Sequence, residues 1–236
     1  MGLSNLFISV VLLNAFAFFT IKLRPRLFGV DLFKPMIKNF KLSLLPFAVI
    51  IVSTGIFVIL LYLSSYWDIL RIVGQITFVI GMVVWILLLP NSGYLITELN
   101  LTHRDGDKKP VPIWYDIVSM LSFALSGIIN TLANIVIIQL IGIVIFDPAH
   151  ITTKYNLALI ATGFIINILV SIGVYLGRTI RFNSWDILHI TRFIKKLVDN
   201  FKKPGEWRNF CLFVIFHTLF FMIIYVVIGV PSYFNV

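Results

Sequence analysis

Six long apolar runs constrain the fold of this chain more than any other feature, because roughly 20 apolar residues in a helix can cross a bilayer. Only 12% of the 236 residues are charged, against about 25% in soluble domains. We therefore predict an all-α fold, a polytopic transmembrane helical bundle in a single integral membrane domain, 1–236. The predicted spans are about 3–21, 42–63, 70–89, 113–146, 156–176 and 209–230. The fourth far exceeds one crossing, and we expect it to tilt, extend beyond the bilayer or break near Gly127.

Basic residues alternate between the predicted loops. Nearly all of the 19 lysines and arginines lie within 22–41, 90–112 and 177–208, whereas 64–71 and 147–155 hold one each. Because lysine and arginine favour the cytoplasmic side of a membrane, the pattern predicts that the loops at 22–41, 90–112 and 177–208 are cytoplasmic and that both termini are extracytoplasmic. The net charge of +9 is therefore mainly a topology signal, and we predict no nucleic-acid partner.

The segment 184–201 has the pattern of an amphipathic helix. Apolar residues recur every three or four positions from Ile187 to Phe201, and basic residues fall on the opposite face. Asn183 or Ser184 is suited to cap its first turn. We predict an interfacial helix on the cytoplasmic surface, with its basic face among anionic lipid headgroups. The alternative is a helix packed against the protein's own loops.

Polar residues concentrate in three short clusters beside the predicted spans. They are PNSGYLITE at 90–98, WYD at 114–116 and RTIRFNSWD at 178–186. Proline and glycine in the first cluster predict that the helix ends there in a turn. The charge pattern places all three clusters on the cytoplasmic side, at the depth where the chain leaves the lipid.

Three motifs in these regions, PNSGYLITEL, WYDIVSMLSFALSG and YLGRTIRFNSWDIL, resemble an uncharacterised bacterial membrane-protein family, the domain of unknown function 1361. The similarity spans roughly 85–190. The acidic position after the threonine is often aspartate in that family, and here it is Glu98. The resemblance implies a multi-pass protein of a bacterial cytoplasmic membrane, and it implies no activity.

Arg178 and Arg181 are spaced to share one face of a helix. Two guanidinium groups at headgroup depth suit a phosphate or a carboxylate, and we add Asn91, Tyr94 and Asn183 as candidate ligand-binding residues. Two alternatives remain open, since the arginines could contact lipid phosphate without specificity or could tie spans together through ion pairs. The possible acidic partners are Glu98, Asp116 and Asp186.

The same three acids are the candidate catalytic residues, because Glu98, Asp116 and Asp186 could carry out acid–base chemistry with His103 or His189. A carboxylate at the start of a helix is more often a cap or an ion-pair partner. The sequence contains no HExxH pattern and no closely spaced acidic pair. We therefore predict neither a metal site nor a cofactor.

Two of the predicted spans carry polar stripes at helical spacing. Asparagine within a membrane is unfavourable unless it finds a hydrogen-bond partner. We therefore expect the two stripes to meet, either as a seam of interhelical hydrogen bonds or as a polar pathway. The first stripe comprises Asp116, Ser119, Ser126, Asn130 and Asn134, and the second comprises Asn167, Ser171 and Arg178.

Three functions remain open at this point. The first is a binding or accessory protein that recognises an anionic lipid headgroup or a partner membrane protein at the cytoplasmic rim. The second is a membrane enzyme that acts on a lipid or prenyl phosphate. The third is a small-solute transporter that uses the polar stripes.

Overall fold

The computed structural model describes residues 3–99, 111–146, 155–182 and 189–228, and every regular element within them is helical. Six helical segments are long and apolar enough to cross a membrane. The prediction of an all-α, multi-pass membrane protein is therefore confirmed. The helices are α1 (Leu3–Phe28), α2 (Lys34–Leu63), α3 (Ile69–Leu88), α4 (Pro90–Gly93), α5 (Ile113–Phe146), α6 (Tyr155–Arg178), α7 (Ile190–Phe201) and α8 (Glu206–Val227), with a 3-10 helix at Tyr94–Glu98.

Two helices extend well beyond the predicted apolar runs. Helix α1 continues through Pro25 to Phe28, and α2 begins at Lys34 and continues through Pro46. A proline in the first turn of a helix is well tolerated, because the backbone N–H it lacks would have no partner there. Pro35 occupies such a position in α2. Hydropathy marks only the apolar part of a helix, so it missed these polar ends.

The predicted turn at Pro90 to Gly93 is wrong. The chain remains helical from α3 through α4 into the 3-10 helix, because Pro90 lies at the start of α4, where its missing N–H is harmless. The Ser92 hydroxyl donates a hydrogen bond to the carbonyl of Ser43 in α2 (2.6 Å). Leu95 is fully buried. This segment is therefore packed among the other helices.

Helix α5 is continuous, so of the three alternatives for this long run the break near Gly127 is excluded. A Cβ added to Gly127 would lie 2.6 Å from Cβ of Leu95 and 2.7 Å from the carbonyl oxygen of Ser92. Both distances are too short for a real contact. Glycine is therefore required at this position because the 90–98 segment lies directly against the α5 backbone.

The two polar stripes bond to different helices within the described part of the chain. On α5, Asn130 exchanges hydrogen bonds of 2.6 and 3.0 Å with Asn14 of α1. On α6, Ser171 accepts a hydrogen bond from the hydroxyl of Thr218 on α8 (3.1 Å). The expectation that the stripes meet is wrong. Each is part of a separate interhelical seam, because α5 packs mainly against α1 whereas α6 packs mainly against α8.

Candidate functional site

Asp116 lies in the first turn of α5 and forms a buried ion pair. Its carboxylate accepts hydrogen bonds from Nε of Arg24 (2.8 Å, to Oδ1) and Nη2 of Arg24 (3.4 Å, to Oδ2). Asp116 is 0% exposed and Arg24 is 6% exposed. Tyr115 adds a second link, since its hydroxyl donates to the carbonyl of Thr20 (2.8 Å). This candidate catalytic acid therefore ties α5 to α1.

Arg24 was not predicted as the partner of Asp116 and was counted only among the basic residues of a predicted loop. A signal was present, because Asn14, Thr20 and Arg24 fall close to one face of α1 at helical spacing. A polar face on a membrane helix implies polar partners on its neighbours. The structure supplies them on α5.

Glu98 forms the second acidic contact. Its carboxylate accepts a hydrogen bond from Nδ2 of Asn39 on α2 (3.1 Å) and lies 4.0 Å from Nη1 of Arg178. The Arg178 side chain is 39% exposed, so this ion pair contributes little to stability. The predicted ion pair between Arg178 and an acidic residue is therefore formed, and the acid is Glu98. It leaves the guanidinium accessible to a further anion.

The predicted pairing of Arg178 and Arg181 on one helix face is wrong. Helix α6 ends at Arg178, and Arg181 adopts a left-handed conformation with φ 57°. This residue reverses the chain, so that the N–H of Phe182 reaches the carbonyl of Leu176 (3.1 Å). The side chain of Arg181 is exposed, and its carbonyl accepts a hydrogen bond from Nζ of Lys196 (3.1 Å). The prediction failed because it applied helical spacing to Arg181, which lies beyond the end of α6.

Asn91 and Tyr94 do converge on α6, where they line a cleft of about 290 Å³. Most of its other lining is apolar and comes from α3 and α6. The cleft is open beside Gly177, where the nearest atoms to an added Cβ are 3.8 Å away, so a methyl group would fit there whereas a larger side chain would fill the space. Further lining residues are Ile86, Leu87, Pro90, Leu169, Ile172, Gly173, Leu176, Phe182 and Phe193.

A small-residue motif that the sequence argument did not use positions this cleft. Gly173 and Gly177 form a GxxxG pattern, which allows close approach of membrane helices. A Cβ on Gly173 would lie 2.2 Å from Cγ of Pro90. The α4 segment therefore rests against Gly173, and the gap beside Gly177 one turn later remains open as the cleft.

Two aromatic rings and a cation form one end of the cleft. The rings of Phe182 and Phe193 stack with centroids 4.4 Å apart. The Nζ of Lys196 lies 4.6 Å from the centroid of the Phe182 ring. This is within the range of a cation–π contact, so a positive charge lies directly behind the apolar lining.

Helix α7 is amphipathic as predicted, but it is shorter. It begins at Ile190, because the preceding His189 has non-helical backbone angles (φ −105°, ψ 65°). The predicted helix is therefore not continuous through His189, and its predicted start at residue 184 lies outside the described residues. Its apolar residues Ile190, Ile194 and Val198 are exposed, so this face is not packed against described parts of the protein. The predicted site residues Asn183 and Asp186, with Ser184 and His103, lie outside the described residues.

Comparison with family models gives a match over residues 39–224 to a family described as "Protein of unknown function (DUF1361)". The chain belongs to this family. The resemblance inferred from the three motifs is thereby confirmed. The DUF1361 match includes the cleft, α6 and α7, whereas Arg24 lies before it. Neither the comparison with curated proteins nor that with solved structures found a match.

Proposed function

We propose that this membrane protein binds an anionic amphiphile, a phospholipid or a prenyl phosphate, in the cleft beside Gly177, and that it acts as a binding or accessory protein. The observation that carries the proposal is the apolar cleft between α3 and α6, one of whose lining rings, Phe182, has Nζ of Lys196 against it. An apolar chain and an anionic head attached to it would find matching surroundings in the two parts of this site.

The size and exposure of the cleft suit part of a lipid. Pockets for small ligands range from about 300 to 1,000 Å³, so a cleft of about 290 Å³ accommodates a segment of hydrocarbon rather than a whole lipid. Leu169 lines the cleft and is 43% exposed. A lipid could therefore enter from the side while the remainder of its chain stays in the bilayer.

Charge around the cleft favours an anionic head. Lys196 lies over Phe182, and the partly exposed Arg178 follows Gly177 directly in the chain. Lysine and arginine near a membrane surface each attract anionic lipid by about 1 kcal/mol. A guanidinium can also donate two parallel hydrogen bonds to one phosphate. The proposed head therefore lies near Arg178 and Lys196.

The enzyme and transporter alternatives have less structural support. Asp116 is fully buried against Arg24, and Glu98 is engaged by Asn39 and Arg178. Neither contact identifies a carboxylate positioned to move a proton. The polar residues of α5 are hydrogen-bonded to neighbouring helices, which favours a structural seam over a solute path. Binding is the function that the geometry favours.

Filling the cleft should abolish lipid retention. In a Gly177→Leu variant the new side chain occupies the cleft, whereas Gly177→Ala provides a control with a similar gain in helix propensity. We expect native mass spectrometry from mild detergent to show a retained phosphatidylglycerol or farnesyl phosphate on wild type and on Gly177→Ala. Gly177→Leu should bind it at least about tenfold more weakly, which corresponds to about 1.4 kcal/mol.

Equal lipid retention in all three proteins would contradict the cleft proposal. A co-purifying protein without retained lipid would instead support recognition of a partner membrane protein. Both outcomes are readable from the same spectra, because the mass of the bound species identifies it.

We also propose that the basic loops face the cytoplasm of a bacterial cell and that both termini are extracytoplasmic. The distribution of lysine and arginine supports this orientation, and the family resemblance supports the membrane. In a Cys211→Ala background, a membrane-impermeant maleimide should label Ser65→Cys in intact cells. It should label Lys202→Cys only after permeabilisation. The reverse pattern would invert the proposed topology.

A further inference from the structure

A second groove of about 360 Å³ lies between the end of α6 and the basic face of α7. None of its lining residues lines the cleft beside Gly177. Four exposed cations converge on it together with a hydroxyl and a side-chain amide. These residues are Arg192, Lys195, Lys196, Lys203, Thr179 and Asn200.

Asn200 is the unusual member of this group. It is only 8% exposed, and its Nδ2 has no hydrogen-bond acceptor among the described residues. The Tyr175 hydroxyl is close to this amide, and because it donates to Glu206 (2.9 Å) its oxygen offers Nδ2 at most a poorly aligned contact. A buried amide donor without an acceptor is unfavourable. Nδ2 is itself enclosed, so an acceptor that enters the groove from outside the protein would satisfy it once the Asn200 side chain turns toward the groove.

The chemistry of the lining selects an anion with several oxygens. The cations, the Asn200 amide and the Thr179 hydroxyl can all donate hydrogen bonds. Asp199 also lines the groove, but its single negative charge is outnumbered by the four positive charges. Phosphate oxygens accept charge-assisted hydrogen bonds from lysine and arginine. A carboxylate offers fewer acceptors for so many donors.

We propose that this groove binds a phosphate group, carried either by a lipid head or by a soluble phosphate ester. The site is separate from the cleft and does not depend on the lipid proposed there. Lys196 connects the two regions, because it lines the groove and also lies over Phe182, which lines the cleft. The exposed apolar face of α7 places the groove at the level of the bilayer surface.

Another basic patch provides a matched control. Lys34, Lys38 and Lys41 line a shallow site on α2 together with apolar side chains. Its described lining contains no side-chain amide or hydroxyl. Loss of two lysines there removes as much charge as loss of two from the groove. The α2 variant therefore distinguishes binding at a specific phosphate site from a general attraction of anions to positive charge.

The test uses full-length protein in phosphatidylcholine nanodiscs. Phosphorus NMR would measure binding of glycerol 3-phosphate, and native mass spectrometry would measure retention of phosphatidylglycerol added to the discs. The variants are Asn200→Leu and Lys195→Gln/Lys203→Gln, with Lys38→Gln/Lys41→Gln as control. We expect about tenfold weaker binding in the first two, as for loss of a hydrogen bond to a charged group, and little change in the control.

Asn200→Leu also distinguishes binding from stability, since removing an unpaired buried donor should leave the thermal midpoint unchanged or raise it. Binding of glycerol 3-phosphate would identify a soluble ester as the ligand class. Retention of phosphatidylglycerol alone, measured in a Gly177→Leu background in which the cleft is filled, would identify a lipid head. The proposal would be overturned if wild type bound neither ligand. It would also be overturned if Lys38→Gln/Lys41→Gln lost as much binding as the groove variants. Gly177→Leu should retain phosphate binding, so failure of the cleft proposal would be seen separately.

Discussion

An Arg24→Met variant is expected to lose about 3–5 kcal/mol of stability, because it removes the guanidinium that is hydrogen-bonded to the buried carboxylate of Asp116. The two side chains are 6% and 0% exposed and are joined at 2.8 Å, so water cannot replace the guanidinium. The loss should appear as a lower midpoint when the purified protein is unfolded by heat or by dodecyl sulfate in detergent.

Two further variants identify the cause of that loss. Lys22→Met removes a nearby exposed cation that contacts only the Phe18 ring in the described contacts (4.6 Å), and it should cost at most about 1 kcal/mol. Arg24→Met/Asp116→Leu should recover most of the stability, since replacing a whole buried ion pair with apolar residues is often neutral. A double variant as unstable as Arg24→Met would contradict this account of the pair.

A Gly127→Val variant is expected to lose about 3 kcal/mol, the upper part of the range for overpacking a close-packed interior. Even the first added carbon would lie 2.7 Å from the backbone oxygen of Ser92, and backbone in a packed segment cannot move aside easily. Unfolding in detergent is again the measurement. The destabilisation should be accompanied by loss of the cleft beside Gly177, since displacing the 90–98 segment would move Asn91 and Tyr94, which line it.

Gly142→Val on the same helix is the matched control. A Cβ added to Gly142 meets nothing within 4 Å, so this variant should be close to wild type in stability. Equal destabilisation of the two variants would show that valine disturbs α5 itself, and that the contact with the 90–98 segment is unimportant.

The number and approximate positions of the membrane helices could be predicted from sequence. Hydropathy averaged over about 20 residues is insensitive to single polar or helix-breaking residues, so all six spans were found. The amphipathic pattern of α7 was found for a similar reason, because its face repeats over three turns. The GxxxG pattern at 173–177 could also have been found in the sequence, because it requires only two glycines four positions apart.

The pairing of polar side chains could not be predicted with the same success. Pro90 and Gly127 suggested a turn and a break, because their local propensities are clear, whereas packing decides their actual conformation. Arg178 and Arg181 were assigned to one face because helical spacing was assumed to continue beyond the predicted span at 156–176, whereas α6 ends at Arg178. Asp116 had several possible cationic partners, and only the packing of α1 against α5 selected Arg24.

Photocrosslinking would test the proposed lipid site most directly. Phosphatidylglycerol with a diazirine in the middle of one acyl chain would be incorporated into membranes that contain the protein, and adducts would be mapped after irradiation. The cleft predicts adducts concentrated on Leu169, Ile172 and Leu176, retained in Gly177→Ala and lost in Gly177→Leu. Adducts spread over exposed residues such as Ile56 and Ile76, with no change in Gly177→Leu, would contradict a lipid site in this cleft.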